Sequence, residues 1–381
     1  MSNPTGYKFT YNDQVVDFND LFTRRDLFDF GNLFTSGDNE FGAIGDSTQV
    51  HKSSPIQVGG FNNWKLIAGG YRQFSAIKAD GTLWSWGRNH YGQLGDSTLV
   101  DKSSPIQVGN LTDWHTLASG RVHLAAIKED NSLWAWGYNG YGQLGNNSIV
   151  NTSSPIQVGS LTNWQHISCG TYHTAALKTD GTIWTWGFND SGQLGDGTVV
   201  SKSSPIQVGS DTDWALINCG YYATMAIKND GSLWLWGDNA LGQLGDGTTT
   251  PTSSPVQLGS LTDWKSVLGG FNFTVAIKTD GSLWSWGRNL RGNLGIGTFE
   301  DKSSPIQVGA MTDWKTVALG YSHVLAIRTD GTLWGWGYNT TGTLALGDIV
   351  DKPTPTQISS RTNWKSIGCA NFTSGFITYA N

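Results

Sequence analysis

Three observations predict an all-β chain folded as a closed seven-bladed β-propeller. A Leu/Ile-Trp-x-Trp-Gly segment ends at Gly87, Gly137, Gly187, Gly237, Gly287 and Gly337, always 50 residues apart, and a weaker copy, NLFTSG, ends at Gly37. Each 50-residue unit holds four short strand-like runs separated by turn residues, the pattern of a four-stranded antiparallel sheet. The first copy enters at Asn32 with only the third and fourth runs, and the last, WKSIGCANFTSGFITYAN, supplies only the first and second. Two strands from each terminus therefore complete the last blade. A ring of this kind shields sheet edges that a lone small sheet would expose.

The elements follow in chain order. Residues 1–30 form a short N-terminal arm crowded with Tyr7, Phe9, Tyr11, Val15, Val16, Phe18, Leu21, Phe22, Leu27, Phe28 and Phe30. TYNDQVV reads as a hairpin and NDLFTRRDLF as a short helical turn. Such a segment is too small for a core of its own. It is expected to dock on the propeller, residues 31–381, or on a neighbour. Tyr7, Phe9, Tyr11, Phe18, Leu21 and Phe22 are its candidate assembly residues, and they offer a route to a homo-oligomer.

In the unit around residues 64–108, strands are expected at 64–68, 74–78, 82–86 and 106–108. Asp80-Gly81 joins the middle pair and predicts a type I′ hairpin with positive φ. The dipeptide recurs at Asp180, Asp230, Asp280 and Asp330, and Asn131 replaces the glycine once. Asn is the next-best residue at positive φ, so the exception supports the turn. All 19 tryptophans fall in three repeat slots: Trp64 and its equivalents to Trp364, and the pairs from Trp84/Trp86 to Trp334/Trp336. Rings of buried indoles between blades would hold the propeller together, and none is left over for a special task.

Composition narrows the function. Charged residues are 14% of the chain, against about 25% in an average globular protein. The net charge is −6 and no Lys/Arg run exists, so nucleic acid is not an expected partner. The N-terminus lacks the apolar core of a signal peptide, and no run approaches the roughly 18 apolar residues of a membrane span. The expectation is a soluble protein. Cys169, Cys219 and Cys369 share one slot that elsewhere holds Gly69, Ser119, Gly269 and Leu319, which reads as small buried thiols rather than a disulfide framework.

The units AIKxDGTLWSWGRNxxGQLGDST…SSPIQV resemble the repeat family of the regulator of chromosome condensation across residues 31–381. The marks are the Asp-Gly hairpin, the Trp-Gly-x-Asn turn and the GQLG run, which relaxes to GNLG at Gly292–Gly295 and GTLA at Gly342–Ala345. The resemblance implies a seven-bladed propeller but no single function. One role in the family is nucleotide exchange on a small GTPase, with a wedge inserted in the propeller and a basic tail. The even spacing leaves no room for a wedge, and residues 1–30 set five Asp against Lys8, Arg24 and Arg25. Another is UV-B reception through slots that need tryptophan; here those slots hold Tyr71, Arg121, Thr171, Tyr221, Phe271 and Tyr321. A third, inhibition of a β-lactamase through one propeller face, is protein binding without chemistry and survives the comparison.

No enzyme, cofactor or metal site is expected. Gly140–Gly145 fits GxGxxG, but no helix follows to face a pyrophosphate. His123, His173 and His323 share a slot with Gln73, Ala223 and Phe273; separate blades hold them apart, and the family resemblance implies a backbone-bonding residue. Asp96, Asp196 and Asp246 read as turn-forming residues, since Asn146 and Ile296 replace them.

The candidate binding residues come from topology. Strands one and three run the same way, so the loops that follow them share a face. On it stand Tyr71, Arg72, Arg121, Tyr172, Tyr221, Tyr222, Phe271, Phe273 and Tyr321. The turns after Trp-Gly add Arg88, His90, Tyr91, Tyr138, Tyr141, Phe188, Arg288, Arg291 and Tyr338. Tyr and Arg are enriched at interface hot spots. The expected function is a non-enzymatic structural and recognition protein. Its compact, low-charge propeller and acidic arm look like phage-encoded members of the family, with the arm attached to a virion and the face meeting a host surface or another virion protein. The alternatives are a soluble, inhibitor-like regulator and, behind it, an exchange factor. The corresponding location is a virion if phage-encoded and the cytoplasm otherwise.

Overall fold

The computed structural model describes residues 8–11, 14–17 and 30–379. Lys8–Tyr11 and Gln14–Asp17 pair antiparallel, with Phe9 opposite Val16, which gives the hairpin expected in the arm. Tyr7, Phe18, Leu21 and Phe22, and the helical turn expected over 19–28, lie outside the described residues.

From Gly31 onward the chain forms seven four-stranded antiparallel sheets. One blade is built from Trp64–Gly69, Gln73–Lys78, Leu83–Gly87 and Lys102–Gln107, in that order from axis to rim. The closing blade joins Trp364–Cys369 and Thr373–Thr378 to Leu33–Gly37 and Lys52–Gln57. Its seam pairs Leu33 with Ile377 and Gly37 with Thr373, so the ring is closed by two strands from each terminus.

Inter-blade packing is set by the second tryptophan of the third strand. Trp86 is fully buried and donates its indole N–H to the Ala43 carbonyl of the preceding blade at 2.9 Å. Trp136, Trp186, Trp236, Trp286 and Trp336 make the same bond to Gln93, Gln143, Gln193, Gln243 and Asn293 at 2.9–3.0 Å. The glycine that ends GQLG exists to admit this ring. A Cβ on Gly95 would stand 2.7 Å from Trp136 Nε1, and its φ is +75°. The other tryptophan of the strand, Trp84, is half-buried and covered by Lys78, whose Nζ lies 3.7 Å from the ring centroid. Cation–π attraction and the apolar lysine stem together shield that indole.

The seam changes three residues in concert. At the tryptophan slot stands Ser36, whose hydroxyl donates to the Thr343 carbonyl, the equivalent acceptor. The missing ring is replaced from the neighbouring strand: Phe376 fills a slot that holds Ala76 and Ala126 elsewhere, and it packs on Trp364 at 5.7 Å. With no indole to admit, the glycine becomes Ala345, which keeps a positive φ of 59°. The relaxed GTLA run is thus complementary to the seam.

Two local expectations are corrected. The Asp80-Gly81 turn is not type I′: only Gly81 has positive φ, and its N–H bonds the Lys78 carbonyl at 3.0 Å. This is a type I turn followed by a left-handed residue, with the Asp80 carboxylate accepting from the Thr82 N–H. The fourth strand runs over Lys102–Gln107 rather than 106–108. Its KSSPIQ sequence lacks alternation because it is the outer edge, and Pro105 sits in a bulge where Ser85 pairs Ile106 but Gly87 pairs Lys102.

The coupled seam makes a prediction. Gly95→Ala should destabilise by about 2–4 kcal/mol through overpacking and backbone strain, whereas Ala345→Gly at the same slot should change stability by less than about 1 kcal/mol. Guanidinium unfolding midpoints of the two variants measure the difference.

Candidate protein-binding face

The buried asparagine of Trp-Gly-x-Asn shapes the loops that build this face. Asn89 accepts from the Leu94 N–H at 2.9 Å and donates to Asp96 Oδ1 and to the carbonyls of Thr98 and Val100. Asp96 in turn accepts from the Thr98 N–H at 3.0 Å, the turn-forming role expected for it. The loop after the first strand is bonded to the turn after the third, Arg88 N–H to the Arg72 carbonyl at 2.9 Å. Both sets of loops therefore lie together, as topology requires.

Seventeen of the eighteen candidate residues form or flank one contact network on this face. Arg121 lies over Tyr71 at 4.8 Å and reaches Tyr172 at 6.0 Å. Arg72 and Arg88 also lie over Tyr71, both at 5.4 Å. Tyr91 meets Tyr138 at 5.0 Å, and Tyr141 meets Tyr172 at 5.2 Å and Phe188 at 4.7 Å. Phe188 continues to Tyr222 at 6.0 Å and Tyr222 to Tyr221 at 6.5 Å. Phe271 and Tyr321 stack at 4.0 Å, with Arg288 over Phe271. Arg291 lies over Tyr338 and pairs with Asp351 at 3.4 Å, and His90 faces Asp101 at 3.5 Å.

Phe273 is the exception. It is 1% exposed and packs in an inter-blade core with Val275, Leu294 and Trp314. Its slot points between blades rather than out of the loop, so it cannot touch a partner. The same slot explains the histidines. His123 and His173 are fully buried and donate from Nε2 to the hydroxyls of Thr174 and Thr224 in the next blade, at 2.9 and 3.0 Å. Those hydroxyls pass the bond on to the Gln143 and Gln193 carbonyls. His323 faces Ser374 in the same way at 3.1 Å. Each ring thus meets a side-chain hydroxyl of the next blade, and His323 has the Asn371 backbone as a further partner. Burial pushes all three imidazoles down to about 3, so they are neutral. Burial likewise pushes the Cys219 thiol up to about 12. Among the described residues no cluster of His, Cys, Asp or Glu could hold a metal ion, and no helix is long and apolar enough to cross a membrane.

Sequence reasoning missed two groups. Phe41 and Phe372 belong to the network, under Arg88 and beside Tyr338, and occupy the slots of Tyr91 and Arg72 in the closing blade. The second group is a rim of apolar pairs in the loop before the fourth strand. Leu99/Val100, Ile149/Val150, Val199/Val200 and Ile349/Val350 are each 58–68% exposed, with Val50 and Phe299 at 62% and 56%. The opposite face exposes Phe61, Leu111, Leu161 and Leu261, each by 40–49%. Lining up the repeats at that slot shows large apolar residues inside otherwise polar loops, which is the signal that would have found the rim.

The RCC1-like domain model matches residues 147–376, well over half of the chain. The chain belongs to the RCC1-like domain family. Models of the single regulator of chromosome condensation (RCC1) repeat match residues 80–127, 64–93 and 114–143. No curated protein matches the sequence. Among solved structures, this RCC1-like propeller is similar to human WBSCR16, at 21% identity and a TM-score of 0.82, covering 92% of this chain and 99% of that one. It is also similar to Prp20p from Saccharomyces cerevisiae, at 19% identity and a TM-score of 0.81 over 99% of this chain and 96% of that one; that structure is described with its binding properties to Gsp1p and histones. Yeast RCC1 (Prp20), solved with Kap60 bound, matches at 20% identity and 0.81 over 100% and 95%.

The histidine slot predicts a pH dependence. The unfolded value is about 6.5 and the folded value about 3, so between them the unfolded chain binds protons that the folded one excludes. Stability therefore falls as pH drops below about 6.5. His123→Gln, the residue found at position 73, should reduce the loss of stability between pH 7 and 5 by about 2 kcal/mol. Urea unfolding at the two pH values checks it.

Proposed function

We propose that this propeller is a non-enzymatic recognition protein that binds a protein partner through the aromatic and arginine face. The observation that carries the reading is the coincidence, on one face, of the Tyr/Arg network with a rim of exposed aliphatic pairs. Large aromatics and arginines supply hot-spot energy, and apolar surface around them is removed from water when a partner closes over it. Relatives of the same fold are described as binding proteins: Prp20p with Gsp1p and histones, and yeast RCC1 with Kap60.

Within that reading, residues 1–30 are the attachment arm of a phage or viral particle component, and residues 31–381 present the face. This placement rests on the arm's eleven large apolar residues among five Asp and on the low charge of the propeller. Light scattering after size exclusion, on the full chain and on a chain starting at Gly31, tests the arm: only the full chain should assemble. Two monomers would remove the attachment role.

The face is tested separately. A photo-crosslinker in place of Tyr141 should capture a partner in the native particles or cells, and one in place of Asp80 on the opposite face should not. Tyr141→Ala with Phe188→Ala should then weaken partner binding by at least tenfold, a typical hot-spot loss, with the fold intact by circular dichroism.

A further inference from the structure

The propeller axis holds a cavity of about 310 Å³, and its mouth opens among the loops of the same face. The wall mixes aliphatic residues such as Leu268 and Leu319 with glycine backbone and the polar residues His166, Ser168 and Asn218. The mouth carries a charge. Arg121 stands there without a carboxylate partner among the described residues; its electrostatic neighbours are the phenols of Tyr172, Tyr221, Tyr71 and Tyr222. Across the axis, Asn371 is 5% exposed. Its Oδ1 accepts from the Tyr221 hydroxyl, three blades away, while its Nδ2 has no partner among the described residues. The Ser119 hydroxyl, also lining the cavity, is buried and likewise has none among them.

An unpaired guanidinium and a buried, idle amide donor facing one cavity form half of an ion-binding site. A buried donor left unpaired is destabilising, so the arrangement calls for an acceptor. The planar guanidinium fork matches a carboxylate, and the aliphatic part of the wall below, at Leu268 and Leu319, suits a short aliphatic chain. The volume is roughly twice the 150 Å³ that accommodates benzene. We propose that the channel mouth binds a carboxylate carrying a short aliphatic chain, with Arg121 pairing the charge and Asn371 Nδ2 donating to the second oxygen. The carboxylate comes either from a free small acid or from the C-terminus of an extended peptide. The site does not depend on the protein-binding reading above, and either stands if the other fails.

Calorimetry with butyrate, butyramide, and acetyl-trialanine bearing a free or an amidated C-terminus tests it. Butyrate should bind at one site at least tenfold more tightly than butyramide, the low end of what a hydrogen bond to a charged group contributes. Arg121→Gln should lose at least tenfold, and Arg121→Lys should recover part of that loss. Thermal unfolding of each variant establishes that it is folded. Binding of the peptide acid but not of butyrate assigns the source to a chain terminus and supports the site. Equal binding of butyrate and butyramide, no binding of either acid, or full affinity in folded Arg121→Gln would overturn it.

Discussion

The propeller depends on one repeated contact, the buried indole that crosses from the third strand of six blades to a carbonyl of the preceding blade. Trp86 packs on Trp64 and Phe74 of its own blade and reaches out of it to bond Ala43 of the preceding one. An aromatic side chain of this size hides roughly 150–250 Å². The bond also fixes the height at which neighbouring blades meet, because it ties the ring of one blade to a single backbone carbonyl of the preceding one. Once that height is set, the first strands are held around the axis, and the loops that follow them converge into one continuous surface. The candidate face is therefore a by-product of blade packing, furnished by whichever residues occupy the loop slots.

The repeat was legible because spacing survives where identity drifts. The 50-residue interval, the tryptophan slots and the half-units at the ends define the ring and its seam without any geometry. What stayed hidden was three-dimensional. Ser36, Phe376 and Ala345 look like separate lapses in the pattern, since they lie in different copies and at both ends of the chain. They make sense together only when the seam puts a serine where the ring should be and a phenylalanine where an alanine should be. The outer strand was misjudged because an edge strand with a proline and a bulge has no period to read.

The candidate face was legible to a similar depth. Strand direction alone assigned the loops correctly, so the Tyr and Arg residues assemble where topology puts them. Phe273 failed because a loop position and a strand position differ by one residue, and the strand begins at Phe273 itself. The rim pairs were less legible because single exposed apolar residues are ordinary in loops, although each pair stands beside the carbonyl that Asn89 or its equivalents hold. The unpaired donors at the axis carry no signature in sequence. Asn371 and Arg121 are 250 residues apart and become neighbours of one cavity only by ring closure.

That closure also has a history in time. During synthesis Leu33–Gly37 and Lys52–Gln57 emerge before any other blade strand, yet the strands that complete their sheet emerge only after all the other blades. At about 5–20 residues per second, this half-blade waits on the order of tens of seconds with one edge unpaired. The last blade strands made thus decide whether the first can rest, and a chain cut short before Trp364 loses its seam before it loses any other blade.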